Sequence, residues 1–472
     1  MRTLNIFGIF IPAHSKKLVY MAFKRKIYSK LLDWKNTTQG KKALLIEGAR
    51  RIGKSTIAEE FARHEYRSYI LIDFNDVSDA VINAFNNLLD DLDTFFMVLS
   101  TEFGVELFNR ESLIIFDEVQ RFPKARQSIK KLVKDGRYDY LETGSLISIQ
   151  QNVKDITIPS EERAMDMHPM DFEEFCDALG ESMLVKYIKN CFAKKIPLER
   201  GLHEKAMLIF KEYILVGGMP QSVAAFLEKR SFQRSDEEKR DILKLYRDDI
   251  MKIEDRYQSR VLAIFDQIPA FLSQHEKRIV FSEIQAGSYF AQYADTFFWL
   301  GNSRIVNECF NCTDPNIGLT LNEERAYIKC YMGDTGLLAS HAFSENAITE
   351  NELYKQILNG KLNLNEGMLY ENAIAQMLRA NGHKAFFYTH YNEEKHRNDI
   401  EIDFIITDNN KVNFKIFPIE VKSGKRYKYE SLTRFREKFR KRIGEAYIIH
   451  PKNFEIKDDG IICLPAYMAM CL

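Results

Sequence analysis

Gly48, Gly53, Lys54 and Ser55 stand in the run Gly48-Ala-Arg-Arg-Ile-Gly53-Lys54-Ser55-Thr56, the spacing by which a chain holds a triphosphate. Phosphate oxygens need several backbone N–H groups converging at a helix N-terminus, and glycine lets the backbone come close without a Cβ. Lys54 would reach the β- and γ-phosphates as a point charge, Ser55 would turn its hydroxyl to Mg²⁺, and Thr56 would add an α-phosphate contact. Arg50 and Arg51 in the same loop would meet either phosphate or Asp/Glu side chains. Such a loop needs a second, acidic element, and Leu113-Ile-Ile-Phe-Asp117-Glu118 supplies one. Asp117 would hold Mg²⁺, directly or through water, and Glu118 would polarise the water that attacks the γ-phosphate.

These residues work only if strands carry them to one edge. Lys41–Glu47 reads as a buried strand running into the loop, with a helical pattern from Ile57 to Ala62 after it. Tyr69–Phe74, Leu113–Asp117 and Tyr138–Ser145 read as further strands separated by helical stretches. That alternation predicts an α/β fold with a parallel sheet covered on both faces, and ligands then sit at the strand carboxyl ends.

The segments Gly48-Ala-Arg-Arg-Ile-Gly-Lys-Ser55, Phe116-Asp-Glu-Val-Gln-Arg-Phe-Pro123, Thr143-Gly-Ser-Leu146 and His168-Pro-Met-Asp-Phe-Glu-Glu-Phe175 together resemble a large family of prokaryotic AAA+ ATPases. The resemblance implies a P-loop NTPase core that binds ATP and Mg²⁺. It gives Ser145, or Thr143, the part of a sensor for the γ-phosphate. Arg163 aligns with a Gly-Arg segment of relatives, as an arginine finger supplied in trans to a homo-oligomer or as a surface arginine. The expected organisation is an N-terminal extension and leading helix over 1–35, the ATPase core over 36–180, a helical lid over 181–275, a winged-helix segment over 276–345, and a C-terminal domain over 346–472.

In the middle of the chain, Leu202–Val216 is a helix broken by Gly217-Gly-Met-Pro220. The charge run from Glu228 to Arg240 reads as a solvated helix face. Val280–Gln285 and Ala294–Val306 read as two helices before strand candidates at 307–311 and 326–331, an order that resembles a winged helix. Its second helix is poor in Arg and Lys and rich in aromatic residues, which favours docking to protein over reading DNA. Cys309, Cys312 and Cys330 make three of a zinc set, with His341 as a conceivable fourth; on a buried hairpin they read as core residues.

A second acidic set lies near the C-terminus. Leu364–Leu378 is an amphipathic helix carrying Glu371, Ile400–Ile406 is a strand carrying Asp403, and Phe417–Gly424 is a strand carrying Glu420 and Lys422. Side chains repeat every two residues along a strand, so Glu420 and Lys422 share a face. Glu371, Asp403 and Glu420 would bind a second Mg²⁺ or Mn²⁺, with Lys422 stabilising charge during phosphodiester attack. This quartet resembles the PD-(D/E)xK nuclease core, an α/β restriction-endonuclease-like fold. Lys425, Arg426, Lys428 and the stretch Arg434–Arg442 make this end locally basic, as contact with DNA or RNA requires.

Composition sets the frame. The chain has 472 residues, 67 Lys+Arg against 67 Asp+Glu, and 45% hydrophobic residues, which excludes a disordered or uniformly basic protein. Its seven scattered cysteines are not a disulfide framework, and no run is long enough to span a membrane, so a cytoplasmic location is expected. Leu4–Ala13 has the apolar length of a signal-peptide core, but a start at Met21 or a loose N-terminal tail is the simpler expectation.

Overall fold

The computed structural model describes residues 23–144, 160–343, 351–358, 366–394, 396–407 and 415–472. Met21, Ser145 and most of the 1–35 extension lie outside them.

β1 (Ala43–Glu47), β2 (Ser68–Asp73), β3 (Ser112–Asp117), β4 (Asp139–Gly144) and β5 (Glu162–Asp166) form one sheet in the order β2-β3-β4-β1-β5, with every pairing parallel. Alternation along the strands divides the side chains between two layers. Ala43, Leu45, Ile70, Ile72, Ile114 and Phe116 pack with Val81, Phe85, Phe95 and Leu132 from the helices Asp79–Asn87, Leu92–Phe103 and Pro123–Asp135. Leu44, Ile46, Leu113, Ile115 and Leu141 face the other way, onto Phe61 of the helix Lys54–Glu65 and Leu31 and Trp34 of the helix Ile27–Thr38. Each such fully buried Val, Leu, Ile or Phe side chain contributes about 1.5–3 kcal/mol, so both layers hold the strand ends in place. β4 lies between β1 and β3, and this order brings the loop after β1 and the acidic end of β3 to one crevice. β5 was not legible as a strand, because Glu162-Arg-Ala-Met-Asp166 has a mostly exposed or half-buried edge and no apolar run.

The helices Ser182–Lys194, Arg200–Val216, Pro220–Lys229, Phe232–Ile250 and Asp255–Ser273 account for the helix-rich middle. The helices Phe281–Ile284 and Ala294–Asn302 then precede the hairpin of β6 (Val306–Cys312) and β7 (Glu323–Met332). The second helix stops four residues earlier than its pattern suggests: Arg304 takes a left-handed φ of 59°, and Val306 begins the strand. Here the sheet crosses the expected boundary at 345/346. β6 pairs in parallel with β8 (Phe386–Asn392), joining the hairpin to β9 (Arg397–Thr407), β10 (Ile416–Val421), β11 (Tyr447–His450), β12 (Glu455–Ile456) and β13 (Ile462–Pro465). The resulting eight-stranded mixed sheet runs β12-β13-β11-β10-β9-β8-β6-β7. The helix Glu366–Ala380 packs against it, and among the described residues no helix is long and apolar enough to cross a membrane.

Candidate nucleotide site and C-terminal charge cluster

At the end of β1 the chain turns through two glycines with distinct reasons. A Cβ on Gly48 would stand 2.4 Å from the Met167 carbonyl oxygen, and Gly53 has a φ of 92°, a left-handed conformation that costs other residues strain. The helix Lys54–Glu65 starts at once, so its first N–H groups open toward the loop. Lys54 is buried and donates to the carbonyls of Gly48 at 3.0 Å and Ala49 at 2.8 Å. Burial pushes its ammonium down to about 8.

Ser55 Oγ donates to Asp117 Oδ1 at 2.7 Å, and Thr143 Oγ1 donates to the same oxygen. The β3–β4 register explains the second contact: Phe116 is opposite Glu142, which brings Thr143 level with Asp117. Burial raises the Asp117 carboxyl above its ordinary range, against the lowering effect of those two hydroxyls. Thr143 Oγ1 also accepts the Glu118 N–H at 3.3 Å. Glu118 itself adopts a left-handed φ of 54°, a conformation that costs a non-glycine residue of order 1 kcal/mol, and its Oε2 accepts from Gln120 Nε2 at 2.5 Å. Arg50, Lys54, Ser55, Asp117, Glu118 and Pro220 line a cavity of about 330 Å³. The hydroxyl and carboxylate are hard oxygen donors of the kind Mg²⁺ takes, so this donor set fits that ion.

Of the two loop arginines, Arg50 meets a carboxylate: its Nη1 donates to both oxygens of Asp249 at 2.8 Å, and its carbonyl accepts from Tyr246 O–H at 3.2 Å. Both partners lie on the helix Phe232–Ile250, so the loop is fastened to the helical segment. Arg51 and Thr56 are exposed at the cavity, and Arg163 is exposed on the edge strand β5. Beneath this loop, Arg25 escaped sequence reasoning. Arg25 is buried and donates to the Ile52 carbonyl at 2.8 Å, the His168 carbonyl at 2.6 Å and Glu174 Oε1 at 3.1 Å, bracing the loop from below. Within Phe23-Lys-Arg-Lys26 it is indistinguishable from solvated charge.

The C-terminal quartet also comes together, in company the sequence did not suggest. Lys422 Nζ lies 2.6 Å from Glu420 Oε1, Lys277 pairs with Glu371, and the Val421 N–H donates to Asp403 Oδ2 at 2.8 Å. Lys329, 1% exposed on β7, stands 3.7 Å from Asp403 and 3.6 Å from Glu401. Burial raises the carboxyls of Glu371 and Glu420, the latter to about 7. Burial works against ionisation of Asp403 too, but Lys329, Lys277 and Lys422 outweigh it and hold this carboxyl below its ordinary range. Among the described residues, no group of three or more His, Cys, Asp or Glu side chains is disposed to hold a metal ion. Glu371, Asp403 and Glu420, expected to hold a second Mg²⁺, do come together, and each of these carboxylates faces an ammonium group. Lys277 and Lys329 were missed; the available signal was a lysine inside the apolar run Tyr327-Ile-Lys-Cys-Tyr-Met332. Cys309, Cys312 and Cys330 are buried in the core, and His341 bonds the Phe265 carbonyl at 2.9 Å.

Residues 40–176 match the model of a family described as AAA domain. Residues 207–347 and 366–468 match two domains of unknown function, DUF8612 and DUF4143. The curated proteins contain no match. Similar solved structures include the Walker-type ATPase PABY2304 of Pyrococcus abyssi, 16% identical with a TM-score of 0.38 over 68% of this chain and 96% of that one. Others are the Holliday junction branch migration motor RuvB of Thermotoga maritima, at 13% identity and a TM-score of 0.28 over 60% and 89%, and Cdc6p from Pyrobaculum aerophilum, at 12% and 0.26 over 73% and 97%. Taken with the loop, the acidic strand end and the parallel sheet that positions them, the family match makes residues 40–176 an AAA-type P-loop ATPase domain.

Proposed function

We propose that the chain hydrolyses Mg·ATP at the loop 48–56 and uses the cycle to move the helical segment fastened to it. The observation that carries this reading is the 2.7 Å hydrogen bond between Ser55 and Asp117, which joins a loop hydroxyl to a strand-end carboxylate beside Lys54. Ser55 and Asp117 would hold Mg²⁺, which when bound would offset the charge of the phosphates. The chain's own residues divide the remaining work. Lys54 exchanges the Gly48 and Ala49 carbonyls for the phosphates. Glu118 takes a proton from the attacking water, held in direction by Gln120. Thr143 links Asp117 to the Glu118 backbone and so registers the γ-phosphate, a part the resemblance also gives Ser145. Arg163 reaches the nucleotide of a neighbouring copy in a homo-oligomer. Arg50 and Asp249 pass the loop's movement to the helix Phe232–Ile250.

For the C-terminal domain the proposal is binding rather than cutting. Support comes from the ammonium group at each quartet carboxylate and from the exposed Lys425, Arg426, Lys428, Arg440 and Lys441, which suit the phosphates of DNA or RNA. For the winged-helix segment, Phe298, 63% exposed on the helix Ala294–Asn302, supports a protein partner.

Phosphate release and ATP binding by wild type, Lys54→Ala and Glu118→Gln test the reading. Lys54→Ala should lose both, and Glu118→Gln should retain ATP while turnover falls at least about 100-fold. A wild type that binds ATP without turning it over would replace the enzyme with a nucleotide-dependent switch.

A further inference from the structure

Lys329 sits in the middle of an apolar strand with its side chain 1% exposed, a position that lysine almost never takes without paired carboxylates. Its Nζ stands 3.6 Å from Glu401 Oε1 and 3.7 Å from Asp403 Oδ1. The surrounding oxygens are similarly engaged. Glu371 Oε1 accepts from Lys277 and Oε2 accepts from Tyr331 O–H at 3.1 Å. Asp403 Oδ2 accepts the Val421 N–H at 2.8 Å, and Glu420 Oε1 is 2.6 Å from Lys422 Nζ. The buried Glu420 Oε2 has no hydrogen-bond partner, although Lys422 Nζ lies against the other oxygen of the same carboxylate.

A divalent cation would compete with ammonium groups for every carboxylate of that arrangement. Mg²⁺ takes about six oxygens at roughly 2.0–2.1 Å in a near-octahedral shell, and here each of the three carboxylates already faces a lysine ammonium. The charges also nearly balance without it. Glu371, Glu401, Asp403 and Glu420 stand against Lys277, Lys329 and Lys422, so a further double positive charge would reverse the sign of a buried site.

We propose that Lys329 supplies the positive charge a divalent cation would otherwise bring, making the C-terminal centre a metal-independent carboxylate–lysine cluster. The cluster joins Lys277 and the β6–β7 hairpin to β9, β10 and the helix Glu366–Ala380, so its role is to unite the 276–345 segment with the C-terminal sheet. It stands independently of ATP hydrolysis, and it excludes metal-dependent phosphodiester cleavage at this centre.

Mn²⁺ uptake by the full-length chain without nucleotide tests this, followed by the paramagnetic signal of the unbound ion. Wild type, Asp403→Asn and Glu420→Gln should take up the same Mn²⁺, any contribution from the nucleotide loop being common to all three. Lys329→Met should gain one site, at least about tenfold tighter than any in wild type, and Lys329→Met with Asp403→Asn should lose it again. The proposal is overturned if wild type holds a Mn²⁺ that Asp403→Asn or Glu420→Gln releases. A folded Lys329→Met that gains no Mn²⁺ overturns it as well, since the cluster would then need no cation there. Should Lys329→Met fail to fold, the comparison of wild type with Glu420→Gln decides alone.

Discussion

The backbone N–H of Gly218 donates to Oδ2 of Asp334 at 2.5 Å, across 116 residues of chain. Gly218 belongs to the turn whose Pro220 walls the nucleotide cavity, and Asp334 caps the helix Thr335–Ala342 through the Leu337 N–H at 2.9 Å. Gln376 donates to the same Asp334 oxygen at 3.3 Å and accepts from the Thr335 N–H at 2.8 Å. The helix that carries Glu371 is thereby tied to the turn beside the nucleotide cavity.

This junction tolerates little change. A Cβ on Gly218 would stand 1.9 Å from the Met170 carbonyl oxygen, and backbone overlap of that kind costs about 1–3 kcal/mol or more. Asp334→Ala would leave two buried backbone N–H groups without an acceptor, at about 1–3 kcal/mol each. Both variants should lower the calorimetric unfolding midpoint by several degrees. An unchanged midpoint for Gly218→Ala would mean that the turn lies elsewhere in solution.

Lys54 makes nucleotide binding pH-dependent. Burial holds the empty loop's ammonium down to about 8, whereas bound phosphates favour its charged form. Above that pH the lysine must regain a proton on binding, so affinity falls as pH rises, approaching roughly tenfold per unit. Titration calorimetry in two buffers of different ionisation enthalpy should show net proton uptake near Lys54 at about pH 9 and none at about pH 6.5. Lys54→Arg, which stays charged, should abolish that uptake.

Glu308 should make stability pH-dependent in the opposite range. Burial, with Glu323 nearby, raises its carboxyl to about 7, against the attraction of Lys384, Arg379 and Arg304. A folded value above the unfolded one gives stability that is complete below the unfolded value of about 4.5 and is lost as pH rises through about 7. Denaturant unfolding between these limits should show wild type losing stability relative to Glu308→Gln. Parallel pH profiles for the two proteins would refute the assignment.

Arg163 offers a test of assembly. If it serves a neighbouring copy, Arg163→Ala should bind ATP normally while turnover drops about 100-fold or more. Mixing it with Lys54→Ala should restore part of the rate, because one interface then combines an intact loop with an intact arginine. Mixtures no more active than the sum of their parts would return Arg163 to the surface of a single chain.

The nucleotide loop was legible because its chemistry is local: two glycines, a lysine and a hydroxyl in nine residues, framed by a strand and a helix that announce themselves through period. The partner carboxylate was legible for the same reason, as the end of an apolar strand. Arg50 was open between phosphate and carboxylate until the helix Phe232–Ile250 brought Asp249 to it. Arg25 gave no signal at all, since a buried arginine differs from a solvated one only by what folds over it.

The sequence by itself determined the parallel α/β core, the phosphate-binding loop and, among the quartet carboxylates and lysine, the shared face of Glu420 and Lys422, because spacing along one strand or one turn dictates which side chains share a face. Tertiary structure alone decided what those carboxylates meet. Lys277 and Lys329 come from segments far from Asp403 and Glu420 in the chain, and β6 pairs with β8 across more than seventy residues. Strand order in a mixed sheet depends on long-range pairing and buried charge balance, and neither leaves a periodic mark on the chain.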